Sequence, residues 1–296
     1  MNEGKRTLGT IVFHHIPKTA GTTMGPILRR QYLRRRTLVI GAGGSKQQSL
    51  VNFARLPQAD KDSYQLLLGH QAIKLVDQLT SPTVITFLRE PVSRVVSLYY
   101  FARDVYEQHP WHQATREYSL EELYRRNIHE QWRELADGQY HSLLGWQEFS
   151  GLQEREGIRA AIRGLLLGST TRLHIGITER FDESLLFLKH VLRWGSDPYY
   201  ARKNTNKSRV TVSPETREAI LHYNQYDTEL YSTAKECFEV RWEQMGAKQL
   251  EEEIQGFRRR NLVFGSVLDI RSRIEDAVSR GFRVARRSRT RSRGAV

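Results

Sequence analysis

The sequence is poor in the residues that build disulfide frameworks and metal centres. Cys237 is the single cysteine among 296 residues, so no disulfide can form within the chain. Apolar residues recur around it at helical spacing, which indicates a buried structural thiol rather than a reactive one. No cysteine cluster and no H-x-x-x-H or H-E-x-x-H spacing occurs, so we expect no metal.

Long apolar runs are absent as well. No run approaches the ~20 residues that cross a bilayer, and the first ten residues, MNEGKRTLGT, contain no apolar segment typical of a signal peptide. The sequence therefore predicts a soluble protein without a transmembrane segment, in the cytoplasm or peripheral at a membrane.

Acidic residues are scarce at the C-terminal end. The net charge is +13, and residues 257–296 alone hold 12 arginines against three acidic residues. In 251–296 we predict an amphipathic helix followed by an Arg-rich tail. Its apolar stripe is Val267, Ile270, Ile274, Val278 and Phe282. This end is either a solvated basic terminus or an attachment to an anionic membrane surface or polyanionic glycan, with nucleic acid the less favoured partner.

Residues 1–250 alternate short apolar segments with helical patterns. We interpret them as one α/β domain, a central parallel sheet with helices on both faces. The predicted strands are Thr10–Ile16, Thr37–Ile40, Tyr64–Leu68, Thr83–Leu88 and Leu173–Thr178. The predicted helices are Gly21–Arg35, one opening at Pro91, Phe181–Trp194 and a long one opening at Pro214. Residues 107–168 form a mainly helical insertion, which either shapes an acceptor cleft or packs on the sheet edge.

The segment IVFHHIPKTAGTT, residues 11–23, is a strand that breaks at Pro17 into a turn and then a helix. Such a helix N-terminus offers an anion unpaired backbone N–H groups and the positive end of the helix dipole. In G-x-x-x-x-G-K-[ST] the lysine directly follows glycine, whereas Lys18 precedes Gly21. The spacing favours a phosphorylated ligand but not an ATP-type P-loop. The residues expected to bind it are Lys18, Thr19, Ala20, Gly21, Thr22 and Thr23.

A second segment, TVITFLREPVSRVVSLYYF, spans residues 83–101. Its strand ends in Arg89, where a Walker-type NTPase often has an Asp that helps to hold Mg²⁺. A cation at this place suits a second anionic group better than a metal. Ser97 follows about two helical turns later. The two segments together predict two phosphate sites for one nucleotide.

HIPKTAGTT and FLREPVSRVVSLYYF resemble the 5′-phosphosulfate loop and the 3′-phosphate segment of sulfotransferases that use 3′-phosphoadenosine-5′-phosphosulfate (PAPS). The similarity is closest to the carbohydrate group that contains the uronosyl and heparan-sulfate 2-O-sulfotransferases. Later segments beginning HIGITERF and ARKNTNKS extend it over residues 10–238. The resemblance implies a P-loop NTPase-like sulfotransferase fold, sulfuryl transfer to a glycan or glycolipid hydroxyl, no metal, and a homo-oligomer.

The resemblance also assigns roles to individual residues. His70 lies in a Gly-His pair between the two motifs and is the expected general base, since an imidazole with a pKa near 6.5 is largely neutral at pH 7. Lys18 is expected to stabilise the bridging oxygen, and Arg89 with Ser97 to bind the 3′-phosphate. Leu68 stands where heparan-type members have a second histidine, which implies a single base.

A late basic segment adds further candidates. Asn204 and Lys207 match the loop that closes over the nucleotide in the related enzymes, and Arg202 is a candidate substrate contact. An exposed basic loop without such a role is the alternative. For Glu179, a structural role is favoured over contact with a ligand. His14 and His15 are expected on opposite faces of the first strand, at least one of them structural.

Two other functions fit parts of the sequence. A P-loop-type nucleotide or small-molecule kinase would share the strand-loop-helix arrangement, but the missing G-K-[ST] and Arg89 count against it. A non-catalytic polyanion-binding protein would use the Arg-rich tail.

Overall fold

The computed structural model of the protein describes residues 9–42, 45–144, 172–201, 212–246, 248–268 and 270. Its centre is a five-stranded parallel sheet in the order β2-β3-β1-β4-β5. The strands are β1 (Ile11–His14), β2 (Thr37–Val39), β3 (Leu66–Gly69), β4 (Thr83–Leu88) and β5 (Arg172–Ile177). The predicted parallel α/β fold is confirmed, and β4 has the predicted bounds.

The three inner strands are apolar along nearly their whole length because helices cover both faces of the sheet. The first group of helices is α1 (Gly21–Gln31), α2 (Lys46–Ala54), α3 (Gln58–Ser63), α4 (Pro91–Tyr100), α5 (His112–Glu117), α6 (Leu120–Arg125) and α7 (Gly138–Leu144). The second is α8 (Phe181–Val191), α9 (Pro214–His222), α10 (Gln225–Gln244) and α11 (residues 248–268). Shorter 3₁₀ segments are Arg34–Arg36, Ala72–Gln78, Ile128–Gln131, Arg133–Leu135 and Thr178–Arg180, and one π-helical turn spans Phe101–Val105.

The long helix predicted to open at Pro214 is two helices. Ser213 caps α9 by accepting a hydrogen bond from the Thr216 N–H, and Pro214 occupies the first turn. The buried side chain of Asn224 then donates to the carbonyls of Leu135 and Ile220, at 2.8 Å each. The chain therefore turns between α9 and α10.

The described part of the predicted insertion, residues 107–144, packs on the rest of the domain. Leu123 and Leu135 form a second apolar cluster with Val95 of α4 and Ile220 of α9. Tyr140 joins the main core. Residues 145–168 lie outside the described residues.

The end of the described chain is partly core. Leu250, Ile254 and Phe257 share one face of α11 and are buried in the main cluster, so the predicted boundary after residue 250 falls inside a packed helix. Val267 and Ile270, from the predicted apolar stripe, are exposed, and its other members lie outside the described residues. None of the described helices combines the length and apolarity that crossing a bilayer requires.

Candidate active site

The first predicted anion site lies between β1 and α1. Two non-glycine residues of this loop have left-handed backbone, Lys18 with φ 68° and Ala20 with φ 66°. Thr19, between them, is buried, and its hydroxyl donates to the Ile16 carbonyl at 2.9 Å. Thr19 was expected to offer its hydroxyl to the ligand, but that proton holds the loop together. Left-handed backbone at a non-glycine residue costs about 1–3 kcal/mol and clusters at functional sites.

The loop leaves a row of backbone donors open. In the described part of the chain, the N–H groups of residues 18–22 have no hydrogen-bond acceptor, and no side chain caps the start of α1. Successive amides with alternating backbone hand form a concave anion-binding nest, to which the positive end of the helix dipole adds. The predicted phosphate loop therefore has the geometry of an anion cradle.

Two cations meet beside this cradle. The Arg89 guanidinium, at the end of β4, donates from Nη1 to the Lys18 carbonyl at 3.3 Å. The Lys18 ammonium lies 4.0 Å from the centroid of the Phe101 ring. Burial, and then the charge of Arg89, lower the pKa of Lys18 to about 8. Neither cation forms an ion pair with a carboxylate among the described residues. Two crowded, unpaired cations favour an anionic ligand.

Arg89 is held by a buried amide. Gln139 is fully buried, and its side chain accepts from the Arg89 N–H at 2.8 Å and donates to the Arg89 carbonyl at 2.9 Å. Asp227 accepts from the N–H groups of Gln139 and Tyr140, at 3.2 and 2.7 Å. Asp227 lies 3.8 Å from the guanidinium of Arg94, and both side chains are fully buried. This network fixes the backbone from which Arg89 reaches the loop.

Ser97 lies on the same helix face as a residue of the candidate site, whereas the hydrogen bonds of Glu179 are structural. Ser97 is half-buried on α4, one turn before Phe101, whose N–H bonds the Ser97 carbonyl. It therefore shares a helix face with Phe101. Glu179 accepts from the Glu90 N–H and from the Tyr231 hydroxyl, both at 3.0 Å. Glu179 thus ties together the ends of β4 and β5 and the helix α10, which fits the structural role.

His70 follows β3 at the same edge of the sheet. Its Nδ1 lies 2.8 Å from the His15 carbonyl. Because a carbonyl only accepts, Nδ1 carries the proton and Nε2 keeps a lone pair. Burial, and then the charge of Lys46, lower the pKa of His70 below its usual 6.5. The neutral imidazole, with Nε2 as the basic nitrogen, is the form that a general base requires.

The two histidines of β1 have different surroundings. His14 is buried, and its Nε2 donates to the Ser142 carbonyl at 2.8 Å, so it is structural. The His15 ring stacks on His70 with centroids 4.2 Å apart. Its other neighbour is Gly21, where an added Cβ would lie 1.8 Å from His15 Cδ2. Burial is the main cause that lowers the pKa of His14 to about 4 and that of His15 to about 3.

Several residues that contact the candidate active site were not predicted from the sequence. Phe101 was only part of a motif, and Lys46 and Gln139 carried no signal. His15 was recognised as flanking the loop but not as a neighbour of His70. The predicted candidates Arg202, Asn204 and Lys207 lie outside the described residues. In the part of the chain that the structure describes, no three His, Cys, Asp or Glu side chains are grouped so as to hold a metal.

Comparison with known proteins identifies one family. A family model described as galactose-3-O-sulfotransferase matches residues 2–275. Galactose-3-O-sulfotransferase 2 from Mus musculus is 26% identical over 195 residues, which cover 59% of this chain and 45% of the mouse protein. The chain thus matches less than half of the length of that relative.

One solved structure is also similar. The crystal structure of mouse sulfotransferase SULT7A1 complexed with PAP covers 85% of this chain and 88% of its own, with 8% identity and a TM-score of 0.33. A similarity at this level does not define the site, which is described above from the chain's own geometry.

Proposed function

The chain belongs to the galactose-3-O-sulfotransferase family, and from this premise we propose that it transfers the sulfuryl group of PAPS to a hydroxyl of a galactoside in a glycan. The coarse prediction, membership of a carbohydrate sulfotransferase family, is confirmed by the family match. The closer likeness to the 2-O-sulfotransferases is not confirmed, and the galactose acceptor of this proposal replaces it.

The donor end of the proposal rests on the anion cradle. The open amides of residues 18–22 would hold the 5′-phosphosulfate, and Arg89, through its planar fork, would bind the 3′-phosphate with Ser97. The residues fit such a ligand because, in the described part of the chain, the cradle amides have no acceptor and neither cation is in an ion pair, although the charges of Glu179 and Glu90 act on Arg89. This surplus of unpaired donors beside Arg89 is the observation that carries the proposal.

The acceptor end rests on His70. The hydroxyl oxygen would form a bond to sulfur while the bond from sulfur to the 5′-phosphate oxygen breaks, and the hydroxyl proton would pass to Nε2 of His70. Lys18, whose ammonium lies on the Phe101 ring face, would stabilise the charge on the departing oxygen.

Nucleotide binding tests the donor site. We expect the protein to bind adenosine 3′,5′-bisphosphate at least about tenfold more tightly than ATP, without Mg²⁺. Lys18→Ala and Arg89→Ala should weaken this binding, whereas Lys74→Ala, an exposed lysine on a 3₁₀ segment, should not. Equal affinity for the two nucleotides, or dependence on Mg²⁺, would refute the donor assignment and favour the kinase alternative.

Transfer assays test the acceptor and the base. With labelled donor, lactose should be sulfated and cellobiose should not, because these two β1,4-linked disaccharides differ only in having galactose or glucose at the non-reducing end. His70→Ala should abolish transfer while leaving the nucleotide affinity within about twofold. Full turnover by this variant would show that His70 is not the base.

Truncation tests the polyanion-binding alternative. The cut belongs after Ile270, because Phe257 is part of the core and Asn261 accepts a hydrogen bond from the Tyr200 N–H at 2.8 Å. An enzyme with the site described here keeps its nucleotide affinity after the cut. A protein that works through the Arg-rich tail loses its salt-sensitive binding instead.

A further inference from the structure

Aromatic side chains line the chain just beyond α4. We call Phe101, Tyr106, His109 and Trp132 the aromatic wall. The Phe101 centroid lies 5.9 Å from that of Tyr106 and 6.3 Å from that of His109. The centroids of His109 and Trp132 are 5.2 Å apart. Tyr106 is 44% exposed. Trp132 is buried in the second apolar cluster, whereas the Tyr106 ring, tilted against Phe101 and edge-on to His109, offers an amphipathic surface that is not used by the core.

The aromatic wall is continuous with the proposed transfer centre. Phe101 carries the Lys18 ammonium on its ring face. The same residue begins the π-helical turn Phe101–Val105, which ends α4 and carries the chain to Tyr106. Single π turns inside helical segments occur often at functional sites. A ligand on the aromatic wall would therefore lie next to the lysine that is expected to meet the sulfuryl group.

The aromatic wall also carries fixed polar groups. The backbone N–H of Trp111 donates to Nδ1 of His109 at 3.2 Å, so Nε2 holds the proton of the His109 ring. Among the described residues, this Nε2–H has no acceptor. Glu134 accepts from the Trp132 indole at 3.5 Å. After burial, which lowers the pKa of both His109 and His70, the charge of Glu134 acts on each of them in the raising direction.

A donor, a carboxylate and aromatic faces are the groups that a sugar ring requires. A pyranose has apolar C–H faces, which pack on aromatic rings, and a rim of hydroxyls that donate and accept hydrogen bonds. A carboxylate suits this uncharged ligand, but it would repel the phosphates of a nucleotide. The chemistry therefore favours the acceptor over the adenosine of the donor.

We propose that the aromatic wall, with Glu134, is the acceptor subsite, and that it binds the galactose ring with one hydroxyl directed to His70. Tyr106 and Phe101 supply the apolar face, and His109 Nε2–H and the Glu134 carboxylate bind the hydroxyls. This inference rests on the proposed function, but it also makes a claim about sugar binding that does not depend on turnover.

Two variants with matched controls test the subsite. Tyr106→Ala removes the exposed ring, and Phe264→Ala is its control because Phe264 is 49% exposed and stacks on Tyr199 at 4.7 Å, far along the chain on α11. Glu134→Gln removes the carboxylate charge, and Glu130→Gln is its control, four residues earlier and exposed. Thermal melts check that each variant is folded.

The first measurement is the KM for lactose, and the second is lactose binding by calorimetry to full-length protein saturated with adenosine 3′,5′-bisphosphate. We expect Tyr106→Ala and Glu134→Gln to raise KM and Kd for lactose about tenfold or more, with nucleotide Kd within about twofold and the controls unchanged. Unchanged lactose binding overturns the subsite, and so does an equal loss of nucleotide affinity, which would assign the aromatic wall to adenine. If the wild type binds lactose through Tyr106 but transfers no sulfate, the subsite stands and the proposed function fails.

Discussion

A methyl group added at Gly21 should disturb both the phosphate loop and the expected base, because it would collide with His15, which stacks on His70. An alanine Cβ would lie 1.8 Å from Cδ2 and 1.9 Å from Nε2 of His15. Ordinary contact needs about 3.4 Å, so the ring must move by about 1.6 Å. His15 cannot simply retreat, because His70 stacks on it with centroids 4.2 Å apart. Gly21→Ala should therefore displace the expected base as well as strain the loop.

The expected effects of Gly21→Ala are a loss of about 1–3 kcal/mol in the free energy of unfolding, typical of overpacking, and a fall of about tenfold or more in kcat. Urea unfolding measures the first quantity and steady-state transfer at saturating substrates measures the second. Gly25→Ala is the control, since on the same helix its Cβ would meet Arg29 Nη2 at 3.6 Å and Leu68 Cδ1 at 3.9 Å. There, helix propensity predicts a gain of up to about 1 kcal/mol.

A double variant separates the clash from any general intolerance of Gly21. Removing the ring with His15→Ala should make Gly21→Ala nearly neutral, so the two substitutions should couple strongly in a double-mutant cycle. If Gly21→Ala is as stable and as active as Gly25→Ala, or if the two effects simply add, the contact between Gly21, His15 and His70 does not control the site.

Three further predictions concern protons. Because burial and then the charge of Lys46 lower the pKa of His70 in the free protein, kcat/KM should persist at pH 6.5 and fall only at more acidic pH. Lys46→Met should move that acidic limb upward, and an unmoved limb contradicts the assignment. Because the pKa of Lys18 is lowered to about 8, nucleotide affinity should weaken as the pH rises through about 8, and Arg89→Met should shift this midpoint upward in calorimetry. Burial, and then a neighbouring carboxylate, raise the pKa of Asp137 from 3.8 to about 7, so its contribution to stability is complete below about pH 4 and lost as the pH rises through 7. Asp137→Asn should therefore raise Tm more at pH 8 than at pH 5.

The donor side could be predicted from the sequence because it is local. The loop from Pro17 to Gly21 joins one strand to one helix, and Arg89 ends a strand beside them in the sheet. Parallel strands bring their carboxyl ends to a common edge, so Lys18 and Arg89, 71 residues apart, were expected to meet there. The structure confirms that meeting, through the hydrogen bond from Arg89 to the Lys18 carbonyl.

The support of the site could not be predicted in the same way. Gln139 lies 50 residues from Arg89, and Asp227 lies 88 residues from Gln139. Neither belongs to a local motif, and each depends on how α7 and α10 pack against the end of β4. A buried amide that pairs with both backbone groups of one residue becomes visible only once tertiary packing is known. The same holds for His15, whose role depends on the ring of His70 lying over it.

The segment after α4 could be predicted in part from the sequence and in part only from tertiary packing. Its aromatic residues were visible in the sequence, and cleft formation and edge packing were equally favoured for residues 107–168. The described part packs in a core cluster through Leu123 and Leu135, and Tyr106, which lies just before this segment, remains exposed beside Phe101. Packing holds the Phe101 and Tyr106 rings in place while the Tyr106 ring stays exposed. On the proposed function, an aromatic surface held by the fold beside Lys18 would align the acceptor before transfer, because these rings are ordered on folding rather than on binding.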